Sequence, residues 1–418
     1  MSSSRALGSM PAMRMQPRET SDPSTSDVPI FSVFTSGGYC IAFGPYTAAM
    51  LALASLVATA VVGNVLADRP KLSRDPNYFP IAVWLQSPSN ARRYREIGMN
   101  LYVGLWQGPT EEQIKALEEA KMPVICDLNG WAERNLNRRI VVGRMHGDEP
   151  DNAQSLPDGK GYGPPILPEK IVEGFGAIRA KDPSRPILLN LGQGVAWEGW
   201  YGRGVRTGHL EDYPLYAKGA DILSFDIYPV TAKQDAVRGK LEMVGTGTRR
   251  LREWAAKDQT VWACVEATHI DNASVAPTPE QTRTLAWMAI AHGATGLIYF
   301  SHQFAPSFIE AGILADEKMA KGVKAINEEI TRLAPVLNSP SLKASADGGV
   351  TVLAKRYKGQ THLFAISTRA QPTTTNIRVT GLEGARQVET VGSTVPLSAK
   401  DGGFRDSFGP YEMKHYRL

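Results

Sequence analysis

Eight short apolar runs punctuate the chain between Tyr78 and Phe300, each followed by a polar or amphipathic stretch. They are Tyr78–Leu85, Asn100–Leu105, Pro123–Cys126, Ile140–Met145, Pro186–Asn190, Asp221–Tyr228, Thr260–Glu266 and Thr295–Phe300. Their apolarity is continuous rather than alternating. That predicts strands buried on both faces, as in a parallel sheet. Between them the period becomes helical. Thr110-Glu-Glu-Gln opens with a capping box and runs to Ala120, and Pro168 stands at the first position of a second helix. Further helices are predicted over 242–256, from Thr278 to His292 with Gly293 as the stop, and over 317–333. Eight strand–helix units over 77–337 predict an α/β fold, a (β/α)8 TIM barrel. A doubly wound open sheet is the alternative. It would show a Gly-rich phosphate turn after the first strand, where this chain reads Trp84-Leu-Gln-Ser-Pro-Ser.

Beyond Leu337 the pattern becomes alternating. Short runs at 350–353, 361–366, 376–379, 387–391 and 411–418 are separated by Gly, Thr and Asp. They predict a small antiparallel β-sandwich over 338–418, after a barrel over 68–337. At the other end, residues 1–45 are aperiodic and rich in Ser, Pro, Gly and Thr. Tyr46–Val62 is then an uncharged apolar run of 17 residues, followed by Val65-Leu-Ala67. Residues 1–67 read as a leader, cleaved as a secretory signal in preference to being kept as an anchor. The expectation is a secreted or periplasmic protein, membrane-anchored only if the leader is kept. Arg18 lies far upstream of the run, so the true start could be as late as Met50.

Composition narrows the partners. The 418 residues hold 46 Lys and Arg against 42 Asp and Glu, a net charge of +4, with 43% hydrophobic and 21% charged residues. That is a soluble globular balance, and it lacks the basic excess of a nucleic-acid binder. The cysteines Cys40, Cys126 and Cys264 form no metal-ligand spacing, so neither a metal nor an organic cofactor is expected.

In a barrel the C-terminal strand ends open on one face, where reactive side chains converge. Two glutamates stand there: Glu149 after the fourth strand, in His146-Gly-Asp-Glu-Pro150, and Glu266 at the end of the seventh. Each alone could be an ordinary loop acid or a salt-bridge partner. Two on one mouth are what glycosidic cleavage requires, one protonated to release the leaving oxygen and one ionised. Asp226 shares parity with Tyr228 and reads as a buried structural acid. Asp127 could bind a sugar hydroxyl or cap the next helix. His146, His269 and His302 lie near strand ends and read as ligands for sugar hydroxyls rather than for a metal. Trp84, Trp106, Trp131, Trp197 and Tyr299 are candidate platforms for the C–H faces of sugar rings; Trp262 reads as core.

From Tyr78 onward these motifs, in their order, resemble those of the clan A retaining glycoside hydrolases, (β/α)8 enzymes that often carry a C-terminal β-domain. The carrying stretches are Asp148-Glu-Pro150, Phe225-Asp-Ile-Tyr-Pro229, Ala291-His-Gly-Ala-Thr-Gly-Leu-Ile-Tyr-Phe300 and the final Phe408–Leu418. The resemblance implies that Glu149 is the acid/base, Glu266 the nucleophile and Tyr228 its hydrogen-bond donor. It also implies that Asp148 stands where the family usually has an Asn that binds the sugar 2-hydroxyl. Asp148 could itself be a catalytic group. The expected function is cleavage of β-linked oligo- or polysaccharides by double displacement. The rivals are a transglycosylase with the same residues, an inverting hydrolase, and a non-catalytic carbohydrate-binding barrel.

Overall fold

The computed structural model describes residues 69–270 and 272–418. The expected leader lies outside the described residues. Eight parallel strands run in chain order: β1 Ile81–Trp84, β2 Leu101–Val103, β3 Val124–Cys126, β4 Val141–Asp148, β5 Ile187–Leu191, β6 Ile222–Phe225, β7 and β8 Leu297–Phe300. Strand β7 comes in two pieces, Thr260–Val261 and Ala263–Glu266, parted at Trp262. The first piece pairs with β6, the second with β8, and β8 pairs with β1. The sheet is therefore closed, and the TIM barrel read from the sequence is the observed fold.

Strand parity sorts the side chains into two layers. Ala82, Trp84, Leu101, Val103, Ile125, Met145, Leu188, Ile222, Trp262, Cys264 and Ile298 fill the barrel interior. Their neighbours Ile81, Val83, Tyr102, Val124, Cys126, Leu189, Leu223, Val265 and Tyr299 face outward against the helices. These are α1 Ala91–Glu96, α2 Glu111–Ala120, α3 Gly130–Arg134, α4 Pro168–Lys181, α5 Tyr213–Tyr216, α6 Glu242–Trp254, α7 Pro279–Ala291 and α8 Glu317–Leu337. Both capping boxes form: the Thr110 and Thr278 hydroxyls accept from the Gln113 and Gln281 N–H groups, and each Gln side chain returns the bond. In the β4–α4 loop, Ser155 and Tyr162 pair as an isolated antiparallel bridge. Among the described residues no helix is long and apolar enough to cross a membrane.

The C-terminal region is an antiparallel sheet of nine strands, β9 Ser341–Leu342, β10 Ala344–Ala346, β11 Val350–Tyr357, β12 Gln360–Ser367, β13 Thr373–Val379, β14 Ala385–Thr390, β15 Leu397–Lys400, β16 Gly403–Phe408 and β17 Met413–Arg417. Its strand order is β9-β11-β12-β17-β14-β15-β16-β13-β10 around a core that includes Leu363, Ile377, Val388, Phe404 and Tyr416. Phe364, Ile366 and Met413 point the other way and join the barrel's outer layer. Phe364 stacks on Trp287 of α7 at 4.9 Å, and the Thr284 hydroxyl donates to the Tyr411 carbonyl at 2.8 Å. The β-region is thus packed on the barrel's α7 side.

Candidate active site

The site begins with an irregularity in β4. Met145 is level with Leu188 of β5, yet Asp148 is level with Asn190, so one extra residue has entered β4. Such a bulge re-aims the side chains beyond it. Met145 lies in the interior, and after the bulge Asp148 returns to the inward side against Asn190. Glu149 then takes a left-handed backbone, φ 42°, which a glutamate rarely adopts without a reason. Its N–H donates to the Asn190 carbonyl at 3.0 Å, and its carbonyl accepts from Asn152 N at 3.1 Å and Gln154 Nε2 at 3.2 Å. Asp151, fully buried behind it, accepts from Gly192 N at 2.9 Å and from the Tyr213 hydroxyl at 2.9 Å. Glu149 is held from both sides, and its own side chain is half-buried at the mouth.

The carboxyl that meets Glu149 is that of Asp226, just past β6. The two lie close enough to share a proton. Burial, then the Asp226 charge, pushes Glu149 well above the usual carboxylate range. Asp226 is raised to about 7, chiefly by burial, while Glu149 and Tyr228 beside it favour its ionised form. Asp148 is raised to about 8 by burial and then by the Glu149 charge, against the opposing hydrogen bond from Asn190 Nδ2 at 2.9 Å. Asn190 is oriented in turn by the Ser224 hydroxyl, 2.8 Å from its Oδ1. At neutral pH this cluster holds protons that exposed carboxylates would have lost.

Tyr228 faces inward, and its hydroxyl interacts with the Asp226 carboxyl. Glu266 is fully buried at the end of β7. Its Oε1 accepts from Val230 N at 2.6 Å, and its Oε2 accepts from Thr231 N at 3.1 Å and Thr231 Oγ1 at 3.0 Å. It pins the segment that follows Asp226 and Tyr228. The reason is the neighbouring place of β6 and β7 in the sheet. Residues 226–231 leave β6 beside β7, so the nearest donors for a β7 carboxylate are their backbone amides.

The other candidates divide. Asp127, exposed after β3, adds its negative field at Asp148 and so belongs to the mouth. Trp106 stands 47% exposed in the β2–α2 loop. Trp197 is half-buried against the outer core and clusters with Trp200 and Tyr201 at 5.6 and 6.1 Å. His302 is buried in the mouth, 3.2 Å from Gln86 Nε2, and burial pushes its ring down to about 4. His269 contacts the Asn272 carbonyl at 3.0 Å through Nδ1. Trp84, the last residue of β1, faces the barrel interior and is 5% exposed. Three candidates face outward. Trp131 packs on the outer layer, its ring 5.8 Å from the Arg138 guanidinium. His146 lies in the bulge and turns outward, its Nε2 at 3.0 Å from the Ile171 carbonyl of α4. Tyr299 has outward parity and is fully buried under the helices. Among the described residues no three His, Cys, Asp or Glu side chains are placed to hold a metal.

Sequence reasoning missed several contributors. Phe300, one residue beyond Tyr299, is the aromatic that faces inward; it lies 5.2 Å from Tyr228 and 6.0 Å from Phe304. Phe304 and Phe308 are 40% and 51% exposed and flank His302 at 6.0 and 5.9 Å, giving the β8 side an aromatic edge. The parity of Ile298 and Phe300 was the available signal. Trp200 was also missed as a support: its Nε1 donates at 2.8 Å to Asn152 Oδ1, and the Asn152 side chain bonds Glu149.

A family model described as glycoside hydrolase family 42, β-galactosidase, matches residues 175–333. The chain carries a glycoside hydrolase domain. The matched stretch begins within α4 and ends within α8. It takes in Asp226, Tyr228 and Glu266 and starts after Asp148 and Glu149. Among solved structures, an α-amylase from Geobacillus thermoleovorans in complex with acarbose is similar in fold, with a TM-score of 0.50 and 11% identity over 83% of this chain and 99% of that chain. A putative α-galactosidase from Bacteroides fragilis gives a TM-score of 0.51 and 9% identity over 82% of this chain and 79% of that chain. The likeness to both is one of fold. The comparison with curated proteins finds no match.

Proposed function

We propose that this domain hydrolyses β-linked glycosides by double displacement, with Glu149 as proton donor and Asp226 as the attacking carboxylate. The observation that carries the reading is the Glu149–Asp226 pair at the strand ends, with Glu149 kept protonated by burial and then by the Asp226 charge. In the first step the Glu149 proton passes to the glycosidic oxygen as its bond to the anomeric carbon breaks, and an Asp226 oxygen bonds to that carbon. In the second step water loses a proton to Glu149 and displaces Asp226. A retaining reaction needs the two carboxyls about 5–5.5 Å apart across the bound sugar, and the anomer released, read by NMR, tests it. The β-linkage rests on the description of the matching family model, which makes β-galactosides the first substrates to try. The Phe300–Phe304–Phe308 edge is suited to stack sugar rings of an oligosaccharide. Export through the 1–67 leader belongs to the same proposal.

Glu266 as nucleophile is the second reading. In its favour, three hydrogen bonds from the 230–231 segment stabilise its ionised form. Against it, the Glu266 carboxyl is fully buried. Azide decides between them, because it replaces a missing nucleophile. Asp226→Ala is expected to lose at least about 10³-fold in kcat on an aryl β-galactoside and to recover turnover with azide, releasing a glycosyl azide. Recovery in Glu266→Ala instead would move the nucleophile to β7. Glu149→Gln is expected to abolish cleavage of unactivated glycosides. Unchanged turnover in that variant would leave only a binding barrel.

A further inference from the structure

The loop after β5 reads Trp197-Glu-Gly-Trp-Tyr-Gly202 and carries three aromatic residues close together. In the fold their rings gather at one place. Trp200 and Tyr201 are 4.8 Å apart, and Trp197 lies 5.6 and 6.1 Å from them. The two glycines make room for the rings. A Cβ on Gly199 would stand 2.9 Å from Trp197 Nε1, and one on Gly202 would fall on the Trp200 ring. The Gly202 carbonyl accepts from Ala153 N at 2.8 Å, which ties this loop to the one after β4. The outermost ring, Tyr201, is 61% exposed and is nevertheless held at both ends. Trp200 backs it, and its hydroxyl accepts from Gln234 Nε2 at 3.0 Å, on the segment that follows β6. Exposed side chains ordinarily change rotamer freely. This one is fixed while its apolar surface stays open to solvent.

The catalytic pair gives that surface its meaning. Trp200 donates through Nε1 to Asn152 Oδ1 at 2.8 Å, and the Asn152 side chain bonds Glu149. The Trp200–Tyr201 surface therefore belongs to the proton donor. The Phe304–Phe308 edge belongs to the other carboxyl: Phe304 lies 6.0 Å from Phe300, and Phe300 lies 5.2 Å from Tyr228, whose hydroxyl meets Asp226. Double displacement gives the two sides different partners. The attacking carboxylate bonds to the sugar that stays, and the proton donor serves the oxygen of the group that leaves. We infer that the leaving group is itself a sugar ring, stacked on Tyr201 with Trp200 behind it, so that the bond cut lies between two sugars held on separate aromatic surfaces. This rests on the proposed roles of Glu149 and Asp226 and deepens them. The chemistry of a pyranose fits the surface: its C–H face matches the open Tyr201 ring, and a rim hydroxyl meets the Gln234 amide at the ring's edge. A small alcohol as leaving group would leave this surface unused.

The test uses the full chain with β-galactosyl fluoride, which has no leaving sugar, and with the β-1,3-, β-1,4- and β-1,6-linked galactobioses, which have one. Tyr201→Ala is expected to lower kcat/KM on the galactobiose that wild type cleaves best by about tenfold more than on the fluoride. Tyr201→Phe keeps the ring and gives up only the Gln234 bond, and it is expected to stay within about threefold of wild type on the same disaccharide. Equal factors on both substrates in Tyr201→Ala overturn the inference, since Tyr201 would then support the mouth rather than a sugar. An equal loss in both variants on the disaccharide would mean that the hydroxyl acts and not the ring face, and overturns the stacking. A wild type that cleaves the fluoride and none of the galactobioses overturns the inference and leaves the hydrolase reading standing. If wild type cleaves none of the four, the hydrolase reading falls, and calorimetry with the galactobioses decides the inference by itself. Binding weakened about tenfold by Tyr201→Ala upholds it; unchanged binding, or none, ends it.

Discussion

A Cβ built on Gly192 would stand 3.0 Å from Glu149 Oε1 and 2.8 Å from Asn152 Nδ2. The space beside the end of β5 is therefore part of the site. Asn152 cannot yield freely, because Trp200 holds its Oδ1. Gly192→Ala is expected to displace the Glu149 carboxyl and cut kcat by about tenfold or more, since small misplacements of a proton donor are costly. Circular dichroism should show the fold retained; an unchanged kcat would mean that the carboxyl finds another place. At this scale the sequence was half legible. Glu149 announced itself as an acid at a strand end. Asp226 did not, because the same alternation that turns it inward beside Tyr228 also describes a structural acid, and only its contact with Glu149 separates the two. Tyr299 and Phe300 show the opposite failure. Both are aromatic, and a one-residue choice of parity decides which faces the mouth.

Elements were most legible where their signals are local. The capping boxes of α2 and α7 form between residues three apart, and both are present. Thr278→Ala removes the hydroxyl that accepts from Gln281 N at 3.2 Å, at an exposed position with no packing to lose. It is expected to cost about 1 kcal/mol and lower the melting temperature by about 2–4 °C, with kcat unchanged. A melting temperature equal to wild type would mean that Pro279 and Gln281 suffice to start α7. The β4 bulge was not legible, although it decides the site. Nothing in Met145-His-Gly-Asp148 tells which residue is extra, because the count is set by pairing with β5. The same cause moved His146, read as a ligand for sugar hydroxyls at the strand end and found turned toward α4.

For the whole molecule, the buried titratable groups oppose one another as pH changes. Burial pushes His302 to about 4 and His415 to about 3, the latter helped by His362, whose Nδ1 lies 3.0 Å from its Nε2. The unfolded chain protonates these rings from about pH 6.5 downward while the folded chain does not. Their contribution to stability is therefore present above that pH and is lost as pH falls toward their folded values. The raised acids run the other way. Asp226 and Asp148, at about 7 and about 8, hold protons in the fold that the unfolded chain releases above about pH 4. They favour the fold most at low pH and lose that contribution as pH rises through 7 and 8. Between about 4 and 6.5 the two sets offset each other, and above about 6.5 only the carboxyl cluster still titrates among these groups. The melting temperature is thus expected to fall between pH 6.5 and 8.5, by roughly a few degrees for a domain of this size. Asp226→Asn, which keeps the shape and removes the charge, should be the more stable protein at pH 8 and should flatten that decline. Calorimetry of both proteins across the range reads the difference directly. Parallel declines in the two would mean that Asp226 is not where the fold stores its protons, and the charged partner that helps keep Glu149 protonated would have to be sought elsewhere.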